Sequence, residues 1–261
     1  MTSPTTSDVV AGLESLRTSA PSSVMVRTLI ETGLADQYTT VTGPTGMVLY
    51  VAFNDKGVSA VVPAPDEATF LAIYETRVGT QTFPGELPPR LAAGIERTLR
   101  TGKLGALPVD LTRLTEFQQA VLRKTTEIPP GELRTYGWVA REIDKPGAVR
   151  AVGSALNKNP VPVVIPCHRV GRSDGSIGNY AFGEAMKRDL LEHEGLDAGA
   201  VDATAEAGIR FYGSDTTNVF CFPTCRHAGR ITDHHRVTFR SQRQAAAAGY
   251  RPCKVCRPAA A

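Results

Sequence analysis

Four cysteines, spaced as Cys221-x3-Cys225 and Cys253-x2-Cys256, constrain the C-terminal part of this chain more than any other feature. Each short-spaced pair can span one edge of a tetrahedron, so the quartet suits a single Zn2+. Two disulfides would use the same residues, but nothing marks the chain as secreted, and zinc is the favoured reading. The large apolar residues nearby are few, chiefly Phe211, Tyr212, Val219, Phe220, Phe222, Val237, Phe239 and Tyr250. A core that small generally needs a metal staple. No organic cofactor is expected.

The fifth cysteine lies in Pro166-Cys-His-Arg-Val170, with an imidazole directly beside the thiol. Cysteine acts as a nucleophile only as thiolate, and a neighbouring histidine can generate one near neutral pH. Taken alone, the Cys167-His168 dipeptide fits a bland core equally well. Upstream, apolar periodicity predicts a helix from Glu116 to about Thr126, opened by a Thr115 cap with Gln118 three residues on. Two short helices follow, Tyr136 to Ile143 and Ala148 to Leu156, separated by the Asp144-Lys-Pro-Gly147 turn. That arrangement matches a DNA-reading helix-turn-helix, and by spacing alone also an ordinary helical hairpin. Ala151, Gly153, Ser154 and Ala155 suit a helix that approaches DNA closely, or one packed tightly on a neighbour. Asn159 before Pro160 is a turn former, and the apolar run Val161–Ile165 leads into Cys167. A further helix is expected over Ala185–His193.

From about Leu114 to Gly195 the chain resembles the catalytic domain of O6-alkylguanine-DNA alkyltransferases, the methylated-DNA–protein-cysteine methyltransferases. The matching motifs, in order, are Phe117, Pro130-Gly-Glu132, Thr135-Tyr-Gly137, Arg150-Ala-Val-Gly153, Asn159-Pro160, Pro166-Cys-His-Arg-Val170, Gly178-Asn-Tyr180, Lys187 and Leu190-Leu-Glu-His-Glu-Gly195. The resemblance implies that Cys167 accepts an alkyl group from O6 of guanine in a single, irreversible displacement. It implies that His168 takes the thiol proton through water, that Glu194 orients the imidazole as a third triad member does, and that Tyr136 protonates the departing guanine. The target base must leave its stack to react. Arg150 is then the side chain that fills the vacated space, with Ala151, Gly153, Tyr136 and Arg169 also facing DNA. Val170, Gly178, Asn179, Tyr180 and Ala181 line the pocket. Ala181 lacks a hydroxyl that some relatives place near O6, and Phe182 is bulkier than the glycine often found there.

Residues Phe211–Pro258 are similar to a second module, the zinc domain of the bacterial adaptive-response protein Ada. The match rests on Phe220-Cys-Phe-Pro-Thr-Cys225 and Gly249-Tyr-Arg-Pro-Cys-Lys-Val-Cys-Arg-Pro258. In that family the first of the four cysteines, here Cys221, accepts a methyl group from DNA methylphosphotriesters. From Arg210 onward Lys and Arg outnumber Asp and Glu several-fold, which suits a DNA-facing surface. Arg226, Arg230, Arg236, Arg240, Arg243 and Arg251 are the expected phosphate contacts. In adaptive-response proteins this domain comes first and precedes an AraC-type regulatory region. Here it comes last, and no segment has that region's length.

The expected organisation is an N-terminal helical extension (1–40), an α/β domain resembling ribonuclease H (41–112), a mostly α catalytic domain with the helix-turn-helix (113–197), a Gly/Ala-rich linker (198–208) and the zinc module (209–261). Within the second block, Met47–Phe53 and Val58–Val62 read as a hairpin about Asn54-Asp-Lys-Gly57, and Ala68–Val78 and Leu91–Leu99 as helices. Asp55, Asp66, Glu67 and Glu75 read as a turn and a helix start rather than a metal-nuclease cluster. Over 261 residues the net charge is only +3, so bulk composition does not announce a nucleic-acid partner. No apolar run reaches membrane-spanning length, and the polar start lacks the regions of a signal peptide. The chain is expected to act as a monomer on alkylated double-stranded DNA in the bacterial cytoplasm, with the nucleoid. The rival readings are a methylation-responsive DNA-binding regulator and a lesion binder that transfers nothing.

Overall fold

The computed structural model describes residues 21–258. The elements, in chain order, begin with α1 (Ser22–Glu31), β1 (Ala35–Thr42), β2 (Val48–Asn54), β3 (Gly57–Pro63), α2 (Glu67–Val78), β4 (Gln81–Pro84) and α3 (Pro89–Thr101). They form a four-stranded sheet of order β3-β2-β1-β4, antiparallel except for the β1–β4 pair. Strand alternation sends Leu49, Val51 and Phe53 to one face and Tyr50 and Ala52 to the other. The first set packs in one cluster with Leu91 and Ile95 of α3, and the second with Phe70 and Tyr74 of α2. Asp66 is the N-cap of α2, its carboxylate accepting from Thr69 N at 2.7 Å.

Strand β1 falls where a helical extension was expected; residues 1–20 of that extension lie outside the described residues. The sequence Ala-Asp-Gln-Tyr-Thr-Thr-Val-Thr hides the strand because its buried members include Asp36. That carboxylate is satisfied by Tyr74 Oη at 2.6 Å, Arg113 Nη1 at 3.1 Å and Asn54 Nδ2 at 3.1 Å. Burial would push its pKa up, and these donors hold it below the usual carboxylate range instead.

The middle of the chain is helical: α4 (Glu116–Thr125), β5 (Arg134–Thr135), α5 (Tyr136–Glu142), α6 (Val149–Asn157), β6 (Val170–Gly171) and α7 (Glu184–His193). The expected Thr115–Gln118 capping box opens α4 with both reciprocal bonds made. Two-residue strands β5 and β6 pair in parallel, Arg134 with Val170 and Thr135 with Gly171. This links the start of α5 to the residues that follow Cys167.

The expected linker is instead folded. Asp197 caps α8 (Ala198–Glu206), and Ala198 and Val201 are buried. Gly/Ala richness reads as flexibility, but alanine is the best helix former and here finds a surface to cover. Beyond it, β7 (Phe211–Ser214), β8 (Val219–Cys221), β9 (Arg236–Phe239), α9 (Gln242–Ala247) and β10 (Arg251–Pro252) complete the chain. Their sheet has the order β10-β8-β7-β9. Phe211, Phe220, Phe222 and Phe239 of this module belong to the same buried cluster as Trp138 and Val139 of α5. Among the described residues no helix is long and apolar enough to cross a membrane.

Candidate functional site

The segment between α6 and Cys167 is held by one side chain. Asn159 Oδ1 accepts from Val161 N at 3.0 Å, while its Nδ2 donates to Ile165 O at 3.0 Å and to Cys167 Sγ at 3.1 Å. Asn159 therefore closes the turn and touches the sulfur. Cys167 opens a short 3-10 turn, Cys167–Arg169, and is buried. Burial raises its pKa; the Asn159 amide, the Tyr180 hydroxyl and the Lys187 ammonium oppose this without reversing it. The site therefore favours the thiol at rest, whose proton must leave before the sulfur can react.

His168 is buried too, with Nε2 at 2.8 Å from Glu194 Oε1 and Nδ1 without a hydrogen-bond partner among the described residues. Burial lowers its pKa more than Glu194 raises it, so the imidazole is neutral in the resting site. Glu194, the C-cap of α7, accepts from Gly131 N at 3.1 Å and from Arg169 Nε and Nη2 at 3.0 and 2.7 Å. Burial pushes this carboxyl up, but the hydrogen bonds from His168 and Arg169 and the Arg169 charge outweigh it and hold it at about 2.

Arg169 corrects one expectation. It is 1% exposed and cannot face DNA. Besides Glu194, its guanidinium donates to Ile128 O at 2.7 Å and Gly102 O at 2.6 Å, so it braces the acid. A surface arginine and a buried brace look identical in a sequence motif.

Arg150 and Ala151 are exposed at the start of α6, and Gly153 is half-buried against Tyr136, whose ring would lie 3.9 Å from an added Cβ. Tyr136, the first residue of α5, is half-buried, and its phenol pKa is raised by burial. Val170 is buried, Gly178 is half-buried, and Asn179 and Ala181 are exposed, Asn179 accepting from Arg172 Nη2 at 3.1 Å. The Tyr180 ring meets His168 edge-on at 6.5 Å, and its buried hydroxyl faces Cys167.

Two residues that had been given no role belong here. Lys187 is buried on α7 and donates to Val170 O at 2.7 Å and Ile177 O at 2.8 Å. Desolvation lowers its pKa to about 8, against the pull of Cys167. Its signal was a lysine inside the apolar stripe of α7. Arg77, from the N-terminal sheet domain, lies 4.9 Å over the Phe182 ring and reaches Asn159 O at 3.4 Å. No motif marks it.

In the C-terminal module the sulfurs of Cys221, Cys225, Cys253 and Cys256 all lie within 4.8 Å of one another, and all four residues are buried. Tetrahedral zinc thiolate sites have S···S edges of roughly 3.8 Å. None of the four forms a disulfide, and the set fits one Zn2+. A cavity of about 450 Å³ borders Cys221, lined also by His227, Arg230, His235, Arg251 and the threonines 216, 217 and 232. Arg226, Arg240 and Arg243 are exposed, whereas Arg236 pairs with Asp233 at 2.9 Å and lies over Tyr212.

A buried thiol beside a neutral histidine-glutamate pair, joined to a compact four-cysteine centre, defines a protein with a thiol acceptor and a structural or reactive metal site. Residues 116–196 match the family described as the DNA-binding domain of 6-O-methylguanine DNA methyltransferase, and residues 199–259 the metal binding domain of Ada. The methylated-DNA–protein-cysteine methyltransferase of Methanosarcina mazei is 36% identical over 146 residues, 56% of this chain and 89% of that protein. The bifunctional transcriptional activator and DNA repair enzyme Ada of Escherichia coli is 35% identical over 147 residues, 55% of this chain but only 41% of Ada. The Mycobacterium tuberculosis alkyltransferase OGT, solved in complex with DNA, superposes with a TM-score of 0.50 at 32% identity, over 63% of this chain and 98% of that one. The chain belongs to the methylated-DNA–protein-cysteine methyltransferase family.

Proposed function

We propose that this protein repairs DNA by moving the alkyl group of O6-alkylguanine onto Cys167 Sγ, once per molecule. The observation that carries the reading is the His168–Glu194 pair at 2.8 Å beside Cys167, with His168 Nδ1 left without a hydrogen-bond partner among the described residues. A buried ring nitrogen without a partner suits a bridging water, and that water relays the thiol proton to His168. Glu194, held ionised by Arg169, stabilises the imidazolium that results. The thiolate receives hydrogen bonds from Asn159 and Tyr180 and the charge of Lys187. Sγ then bonds to the alkyl carbon, the carbon–O6 bond breaks, and its electron pair stays on guanine. Tyr136 gives guanine a proton and regains one from the imidazolium through solvent. The product is a thioether, and no residue offers a way to break it.

Helices α5 and α6 serve, in this reading, as a helix-turn-helix on double-stranded DNA. The exposed Arg150 at the start of α6 takes the place of the extruded base. The pocket is Val170, Gly178, Asn179, Tyr180 and Ala181. The N-terminal sheet domain is of the ribonuclease H kind. We assign α8 to the zinc module, since the Ada-type match begins at residue 199. One copy supplies every group required, so the protein acts as a monomer, in the cytoplasm with the nucleoid.

The second acceptor is Cys221, which takes a methyl group from DNA methylphosphotriesters. Zinc, when bound, keeps the four sulfurs as thiolates that need no base. Support comes from the cavity beside Cys221, whose Arg230, Arg251 and His227 suit a phosphate diester backbone. Intact-protein mass measurement after exposure to methylated duplex tests both halves. Two added methyls are expected on the parent and one on Cys167→Ser or on Cys221→Ser; unmodified protein would reduce it to a lesion binder, and catalytic clearance would make it a hydrolase.

A further inference from the structure

Metal-ligand loops and the alkyl acceptor meet across one short segment. Thr224, between the ligands Cys221 and Cys225, accepts from Leu133 N at 2.8 Å and donates to Leu133 O at 3.3 Å. Two residues on, Arg226 N donates to Glu132 Oε1 at 3.2 Å. From the other ligand pair, Cys256 O accepts from Trp138 Nε1 at 3.0 Å, and Arg257 pairs with Glu142 at 2.7 Å. Both loops thus grip residues 132–142, one at each end. Tyr136 sits in the middle of that grip. Its helix starts at the Thr135 cap, whose hydroxyl accepts from Trp138 N at 3.1 Å, and strand β5 pairs with β6 just beyond Cys167.

Each gripping bond has one partner inside or beside the two cysteine loops. Their geometry is set by the loop conformation, which the metal in turn determines. Trp138 is 2% exposed, so its indole N–H has no water to turn to if Cys256 moves. A displacement there is passed along α5 to its first residue.

We propose that Thr224, Trp138 and the Cys256 carbonyl are positioning residues for Tyr136, so that zinc loading of the C-terminal module governs the rate of alkyl transfer at Cys167. This rests on the reading of Cys167 and Tyr136 given above. The metal is never part of that chemistry; it acts by holding the proton donor over the leaving group. Misplacement of a reacting group by a fraction of an ångström suffices to slow such a step.

Two reagents separate positioning from general loosening. O6-benzylguanine needs its leaving base protonated, whereas iodoacetamide alkylates a thiol without that help. Both would be followed at Cys167 by peptide mass mapping, in the full-length protein. Trp138 is the sole tryptophan, so its emission reports the grip directly. Thr224→Val, with zinc content verified as one per chain, is expected to slow O6-benzylguanine transfer about tenfold, to leave the iodoacetamide rate unchanged, and to flatten the pH profile of benzyl transfer. Stripping zinc from the parent should shift Trp138 emission to the red and slow benzyl transfer further. Zinc re-addition should restore both.

The proposal is overturned if Thr224→Val and the stripped parent transfer benzyl at the loaded parent's rate. It is equally overturned if the two reagents slow together, because that is loss of structure. Should the zinc-loaded parent take no benzyl group at all, the Cys167 reading falls first and this proposal with it. Normal transfer by the loaded parent alongside zinc-independent transfer removes the coupling alone.

Discussion

Asn159 carries more of the site than its neighbours, because its one amide satisfies two buried backbone groups and touches the nucleophile. Asn159→Ala strands Val161 N–H out of water's reach and leaves Ile165 C=O with Cys167 N as its donor. The expected cost is about 1–3 kcal/mol of unfolding free energy, read from denaturant midpoints, together with slower alkylation of Cys167. Glu194 and His168 set the acid behaviour. His168 has a folded pKa below its ordinary 6.5, so below that pH the unfolded chain takes up a proton that the native site refuses. Glu194 is held at about 2 against an ordinary 4.5, so the same asymmetry returns between those values. Stability should therefore begin to fall as pH drops through 6.5, fall again below 4.5, and finish near 2. Glu194→Gln should shrink the lower limb of a melting-temperature profile, which Asp36 and Asp110 share, and slow alkyl transfer about 100-fold; an unchanged rate would exclude Glu194 from the relay. At this scale the sequence was legible wherever a motif fixes chemistry, as for Cys167, His168 and the four metal-ligating cysteines. It was opaque where chemistry depends on burial. The buried Arg169 read as a DNA contact because charge is visible in a sequence and desolvation is not.

Elements were readable where local rules decide them. The Thr115 box, the α5–turn–α6 pair and the β2–β3 hairpin depend on caps, turns and alternation. Strand β1 was not, since its inward side chains include an aspartate that only the distant Arg113 and Tyr74 make tolerable. Helix α8 was missed because its composition fits a linker until its buried face is known. The turn before β5 makes a sharp prediction. Gly131 has φ +71°, and an added Cβ would lie 2.9 Å from the Glu194 carbonyl oxygen. Gly131→Ala should cost about 1–3 kcal/mol through backbone strain and that clash. Gly147→Ala, with open space around it, should change stability by only about 0.5 kcal/mol; an equally small loss at Gly131 would mean that the turn before β5 tolerates a side chain. On α6, Arg150→Ala removes an exposed side chain. It should slow repair of O6-methylguanine in duplex DNA while sparing the reaction with free O6-benzylguanine. Equal slowing would deny it a role in base extrusion.

The whole molecule was the least legible level, because its joints are bonds between residues far apart in the chain. Trp138 and Cys256 are separated by 118 positions, and neither carries a mark that the other is its partner. Yet the joint changes what kind of object this is. Phe211, Phe220 and Phe222 of the zinc module share one buried cluster with Trp138 and Val139 of the catalytic helices, and Arg134 lies over both the Phe222 and Trp138 rings. A module tethered by a flexible linker would unfold on its own when stripped of metal, leaving the remainder untouched. Here the loss of zinc exposes apolar surface that the catalytic domain also uses. Its free energy is therefore drawn from the stability of both parts. Calorimetry of the zinc-loaded chain should show the zinc module and catalytic domain melting in a single transition. Chelation should move that transition to lower temperature as a unit, not split off a small early one. A separate low-temperature peak assignable to residues after Gly208, with the main transition unmoved, would mean that the shared core contributes nothing to either part.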